Sequence, residues 1–313
     1  MQFDPEVGAV VAAAMSQMEA FPATARGDAL ALRAALLPGL VALNEYAAVP
    51  PNVSSVDFQV EVGDGAMILA RWYTKRDSAP GSAVVYAHGG GMVAGSVATY
   101  DRYVANYVEQ TGVPFLSVDY RMAPDVTGTT LVDDCFAALR WFIDRADDFG
   151  VDPDRIGIMG DSGGGGVAAG VAIAARDSGL KLTKQILIYP MLDDRNIEPD
   201  PEIVAFAGWT YDNNFTGWNA LLGEDRGTAN VSALASPSHL EDFHGLAPAF
   251  IDVGELDIFR DESILYALNL VRAGVSTELH VRAGVPHGYD RFGAGVPWVR
   301  SAIADWHRVI QSL

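Results

Sequence analysis

Four short segments of the 313-residue chain carry groups suited to acyl-transfer chemistry. Gly160-Asp161-Ser162-Gly163-Gly164 fits a Gly-x-Ser-x-Gly pattern, which offers a serine hydroxyl as nucleophile on a tight turn. His88-Gly89-Gly90-Gly91 is a glycine loop able to turn its N–H groups outward toward an oxyanion with no side chain in the way. Gly254-Glu255-Leu256-Asp257 supplies carboxylates, and Pro286-His287-Gly288-Tyr289 supplies an imidazole. A serine, a histidine and a carboxylate brought together divide the work. Ser162 attacks a carbonyl, His287 takes and later returns the proton, and Asp257 holds the imidazole in the right tautomer.

These segments differ in weight. Gly-x-Ser-x-Gly arises readily by chance in a chain with 32 glycines, whereas His-Gly-Gly-Gly is far rarer. His88 reads as an organiser of its loop, because it lies at the loop's base. Among the carboxylates, Glu255, Asp252 and Asp261 compete with Asp257. Asp261 is better explained as an acid at a helix N-terminus and Asp252 as a strand residue. Of the six histidines, His239, His244 and His307 sit in polar or helical contexts and His280 lies within a strand. His287 is the remaining candidate that follows a strand.

The elements that must position these groups alternate in type. Arg155 to Met159 reads as a buried parallel strand leading into the serine turn, and Val167 to Ala175 as the helix beyond it. Val56–Val62 and Met67–Tyr73 form an antiparallel hairpin across Gly63-Asp64-Gly65. Ala83–Ala87, Val113–Val118, Gln185–Tyr189, Ala249–Val253 and Thr277–Val281 read as further strands. Tyr100–Thr111, Leu131–Ala146, Glu262–Ala273 and Trp298–Ile310 read as helices. This alternation predicts an α/β chain with a mainly parallel sheet, helices on both faces and the hairpin at one edge. Each chemical segment then follows a strand, where an open α/β sheet places its ligands.

Two stretches depart from the alternation. Before any strand, Val7, Val11, Ala14, Met15, Met18 and Phe21 recur at helical spacing, followed by Leu32, Leu36, Leu37, Leu40 and Leu43. These helices either pack on the sheet or belong to a lid over the site. Met15, Met18 and Phe21 suit an adaptable acyl pocket, although such stripes are usually core. Between Pro190 and Leu246 the chain runs without a convincing strand, which predicts an insertion of short helices whose aromatics wall a pocket or bury the insertion.

Composition narrows the partners. A formal charge of −19, with Lys75, Lys181 and Lys184 the only lysines, argues against nucleic acid and anionic membranes. Cys135 stands alone, so no intramolecular disulfide forms and a multi-thiolate metal site is excluded. The acidic start of the chain lacks the basic region of a signal peptide and no stretch reaches membrane-spanning length, so the expected compartment is cytoplasmic. The expected partner is a small-molecule ester, with no metal or other cofactor. A homo-oligomer is compatible with the sequence.

From about residue 55 onward the chain resembles the hormone-sensitive-lipase family of α/β-hydrolases, in its bacterial carboxylesterase branch. The resemblance is carried by His88-Gly89-Gly90-Gly91, Asp119-Tyr120-Arg121-Met122-Ala123-Pro124, Gly160 to Gly164, Asp257 with Arg260-Asp261-Glu262, and His287-Gly288. The chain order Ser162, Asp257, His287 is also that of the α/β-hydrolase triad. By this resemblance Ser162, Asp257 and His287 are the catalytic residues. Gly90, Gly91 and Gly163 give the oxyanion amides, and Gly89 shapes the loop. Residues 51–313 would form the catalytic domain, with residues 1–50 and an insertion near 200–222 as its helical cap. Met92, Trp209, Tyr211, Phe215 and Tyr289 are candidates for the substrate pocket. Gly163 stands where the family usually has alanine, Ile258-Phe259 replaces Pro-Leu after the acid, Met92 replaces an aromatic, and Val126 to Val132 lacks a proline-rich segment. None of these changes removes a reacting group.

The function expected is a serine carboxylesterase acting on short acyl esters through an acyl-enzyme. An amide or peptide hydrolase would use the same residues, and a non-catalytic ligand-binding protein of this fold would usually lack one of them.

Overall fold

The computed structural model describes residues 1–10, 24–78, 81–293 and 295–313. An eight-stranded sheet with order β1-β2-β4-β3-β5-β6-β7-β8 forms its centre. β1 (Val53–Glu61) and β2 (Met67–Lys75) make the antiparallel edge hairpin, and β2 also runs antiparallel to β4 (Phe115–Val118). All later pairings are parallel: β3 (Gly81–Ala87), β5 (Val151–Asp161), β6 (Gln185–Ile188), β7 (Ala249–Gly254) and β8 (Thr277–Arg282).

The central strand shows why helices cover both faces. Along β3, Ala83, Val85 and Ala87 face one apolar core while Val84 and Tyr86 face another, as the two-residue period of a strand requires. With every β3 side chain from Ser82 to Ala87 buried, neither face tolerates water. The first core is closed by α3 (Thr130–Ile143), α4 (Gly163–Asp177) and α6 (Arg260–Arg272). α2 (Asp101–Thr111) and α8 (Pro297–Gln311) close the second. α7 (Tyr289–Gly293) is a single short turn leading from the histidine loop toward α8.

α1 (Ala29–Tyr46) is the leucine-striped helix, started by Asp28, whose carboxylate accepts the Ala31 amide at 2.9 Å. Leu32 is buried and Leu36 and Leu40 pack against the core, but Leu37 lies one residue off the stripe and points outward, 45% exposed. Residues 5–10 are helical. The remainder of the expected first helix, with Met15, Met18 and Phe21, lies outside the described residues. Between β6 and β7 the insertion holds α5 (Tyr211–Leu222) and short 3-10 turns, and no strand.

α4 departs from the sequence reading, beginning at Gly163 rather than Val167. A run of glycines is a poor helix former in isolation, but here the segment is wholly buried and its backbone lies against other segments of the chain. A Cβ at Gly165 would sit 2.8 Å from the side chain of Pro190, and one at Gly166 2.1 Å from the Met191 carbonyl. Close packing, not intrinsic propensity, sets this helix start.

Candidate active site

Ser162 is the single residue between the end of β5 at Asp161 and the start of α4 at Gly163. Its backbone is forced to φ 55° and ψ −124°, a conformation that costs a side-chain-bearing residue of order 1–3 kcal/mol. Local hydrogen bonds hold it there. The Ser162 amide donates to the Ile188 carbonyl at 2.9 Å, and its carbonyl accepts the amides of Gly165 at 2.9 Å and Met191 at 3.0 Å. The flanking glycines allow the sharp reversal. A Cβ on Gly160 would lie 2.1 Å from the Gly164 carbonyl oxygen, and one on Gly164 would lie 2.2 Å from that of Ala87.

The imidazole of His287 reaches this hydroxyl: its Nε2 is 2.9 Å from Ser162 Oγ, and its Nδ1 is 2.7 Å from Asp257 Oδ2. Asp257 Oδ1 accepts the Phe259 amide at 3.0 Å, so both carboxylate oxygens are engaged in a fully buried site. The histidine ring stands edge-on between Tyr189 and Phe259, with centroids 4.7 and 5.1 Å away. Aromatic walls limit its rotation. The competing acids are engaged elsewhere: Glu255 accepts the Gly284 amide at 2.9 Å, Asp252 binds Arg282 at 2.6 Å, and Asp261 pairs with Arg260 at 2.6 Å.

The glycine loop approaches the serine from the end of β3. Gly90, Gly91 and Met92 all adopt positive φ, at 125°, 61° and 65°. Among the described residues the amides of Gly90, Gly91 and Gly163 donate to no acceptor. Adjacent uncommitted N–H groups in a buried corner are what an oxyanion needs. Gly163 belongs to the same corner, since a Cβ there would lie 2.7 Å from the Met92 amide nitrogen and 3.0 Å from that of Gly91. Its departure from alanine therefore has a steric reason: the loop packs too closely for a methyl group. Gly89 lies deeper, against Asp161 and the Tyr100 hydroxyl. His88 is buried, stacks on Tyr120 with centroids 4.5 Å apart and shares its Nδ1 with the Gly89 carbonyl at 3.0 Å. Burial lowers its pKa, in keeping with a neutral ring that organises the loop.

The pocket candidates divide. Trp209 overhangs the loop so closely that a Cβ on Gly91 would sit 2.2 Å from its ring, and its Nε1 donates to Asn214 at 3.3 Å. Tyr211 is buried in the first core, and the guanidinium groups of Arg26 and Arg226 lie over the Phe215 ring at 4.1 and 4.6 Å. Met92 and Tyr289 are both buried. Met92 is 1% exposed, with its terminal methyl 3.1 Å from where a Cβ on Gly166 would lie. Tyr289, also 1% exposed, belongs to the second core and donates its hydroxyl to Asp252 at 2.8 Å.

Two supporting arrangements were not anticipated. Arg33 of α1 donates to the carbonyls of Val93 at 2.6 Å and Ala123 at 2.7 Å and pairs with Asp125 at 2.7 Å, anchoring the N-terminal helix on the glycine loop. Beneath the serine, Asp161 accepts the hydroxyls of Tyr86 and Tyr100 and pairs with Arg291 at 2.8 Å. Each is a long-range pairing of ordinary charged residues, with no local signature.

A family model described as the alpha/beta hydrolase fold matches residues 84–291. The chain is 31% identical over 247 residues to ethyl acetate hydrolase of Pseudomonas putida, covering 76% of each chain. It is 36% identical over 235 residues to carboxylesterase NlhH of Mycobacterium tuberculosis, covering 71% of this chain and 70% of that one. Among solved structures, a bacterial heroin esterase superposes with a TM-score of 0.89 at 32% identity, covering 99% of this chain and 98% of that one. An esterase of the archaeon Pyrobaculum calidifontis superposes with a TM-score of 0.84 at 30% identity, covering 100% and 99%. No described helix is long and apolar enough to cross a membrane. With its sheet order, its strand-turn-helix serine and these relatives, the chain belongs to the α/β-hydrolase family, in the hormone-sensitive-lipase-like branch of carboxylic ester hydrolases.

Proposed function

We propose that the protein is a serine carboxylesterase for short acyl esters, with Ser162 as nucleophile, His287 as general base and acid, and Asp257 as its orienting carboxylate. The observation that carries this reading is the continuous hydrogen-bonded line from Ser162 Oγ through His287 to Asp257, at 2.9 and 2.7 Å, beside uncommitted amides. Ser162 attacks the ester carbonyl carbon while Nε2 takes its proton. Negative charge collects on the carbonyl oxygen, where the amides of Gly90, Gly91 and Gly163 meet it. The imidazolium, stabilised by Asp257, then protonates the departing alkoxide, leaving an acyl-enzyme. Water repeats the sequence and releases the acid.

Two features support the short acyl preference. One relative is named for ethyl acetate, a short ester, and Trp209 narrows the space over Gly91. We also assign residues 1–50 and the insertion near 200–222 to a cap. Its two parts are joined by the Gly27 amide donating to Thr216 at 2.9 Å and by Arg26 facing Asp212 at 3.4 Å.

Ser162→Ala should abolish hydrolysis of p-nitrophenyl acetate and butyrate while circular dichroism stays native; unchanged turnover would refute the reading. Across p-nitrophenyl esters of rising acyl length, kcat/KM should peak at short chains, and a peak at long chains would remove the substrate assignment. A matched anilide should turn over far more slowly than its ester.

A further inference from the structure

On the face of the sheet covered by α2 and α8, a cavity of about 370 Å³ lies between those helices and the C-terminal end of α1. That volume falls at the lower end of the range for small-molecule sites. Leu43, Tyr107, Ile303 and Trp306 give it an apolar body. Ser162, His287, Gly91 and Gly163 do not border it, so it is separate from the ester-cleaving corner.

Its polar end is unevenly satisfied. Asp290 lines the cavity, but each of its oxygens already accepts a phenolic proton, from Tyr189 at 2.8 Å and from Tyr103. With both oxygens already accepting, Asp290 has little left to offer a cation. Arg291 is the opposite case. Its side chain is 12% exposed, stacked over Tyr100 and Tyr103 at 4.6 and 4.4 Å, with one Nη2 contact to Asp161. Its Nε and Nη1 protons donate to nothing among the described residues, although a guanidinium carries five donors. His307, with its pKa lowered by burial, adds an imidazole with no hydrogen bond among those residues.

We propose that this cavity binds a small amphipathic carboxylate, its head held by Arg291 and its hydrocarbon body lying along Leu43, Tyr107 and Ile303. A planar carboxylate matches the guanidinium fork, and a single charge suits a site that already contains Asp290 and Asp161. A dianion such as phosphate would meet stronger repulsion from those acids.

Calorimetric titration of the full chain with hexanoate, hexanol and hexylammonium tests this. Hexanoate should bind at one site, hexanol about tenfold or more weakly, and hexylammonium not at all. Ile303→Trp fills the cavity from its far wall and should remove hexanoate binding while leaving the melting temperature and ester turnover unchanged. Absence of hexanoate binding at millimolar concentration overturns the proposal. So does preference for hexylammonium, or hexanoate binding unaffected by Ile303→Trp in a folded variant, which would locate the acid in the ester-cleaving cleft. The readout is binding, so it stands or falls independently of the esterase assignment.

Discussion

The carboxylate of Asp161 and the guanidinium of Arg291 lie 2.8 Å apart, tying the residue before the serine to a residue four positions beyond the histidine. The pair is almost wholly buried, with side-chain exposures of 2% for Asp161 and 12% for Arg291. Removing one partner of a buried ion pair strands the other, at a cost of about 3–5 kcal/mol. Arg291→Gln should therefore lower stability by about that amount in urea titration and reduce kcat through displacement of the turn. A change within about 0.5 kcal/mol would show that the Tyr86 and Tyr100 hydroxyls alone suffice for Asp161.

Gly163→Ala tests the corner where the glycine loop meets the elbow. The new methyl would lie 2.7 Å from the Met92 amide nitrogen, so the loop must retreat. Because a lost oxyanion donor costs about a hundredfold or more in kcat, a partial retreat should cost about tenfold, with KM little changed. Steady-state kinetics on p-nitrophenyl butyrate would show it, and a wild-type kcat would mean that the loop yields without losing its aim.

Asp257→Asn keeps the shape of the buried side chain but can present its amide to Nδ1 and favour the wrong tautomer. The expected fall in kcat is about ten-thousandfold, with thermal stability nearly retained. If activity dropped less than about tenfold, Asp257 would be a packing residue and not the orienting acid.

His307 gives a pH signature in stability. Burial lowers its pKa, so between that depressed value and the ordinary imidazole value of about 6.5 the folded chain binds fewer protons than the unfolded one. Its contribution is present above about 6.5 and is lost progressively as pH falls from there through the depressed folded-state value. The melting temperature of His307→Gln should therefore decline less than that of the wild type between pH 8 and pH 5. Parallel curves would show that the ring protonates as readily in the fold as in water.

The groups that meet at Ser162 were legible because each follows a strand, and a parallel sheet gathers the ends of its strands at one rim. Ser162 and His287 stood out by post-strand position and residue type, while Asp257 still competed with Glu255, Asp252 and Asp261 until the family resemblance favoured it. Arg33 and Arg291 did not stand out, because an arginine carries no local mark of which distant carbonyl or carboxylate it will meet. Nor could the sequence show that the Tyr289 hydroxyl donates to Asp252, 37 residues away in the chain. The start of α4 was missed because glycine's low helix propensity hides how deeply the segment is packed.

Trp209 occupies the space that any side chain at position 91 would need, and Gly217 lies against the Gly91 carbonyl, where a Cβ would come within 2.6 Å. Roof and floor are thus moulded on one another. Transplanting a relative's insertion onto this chain would require transplanting its glycine loop as well, so the two segments are exchangeable only as a matched set.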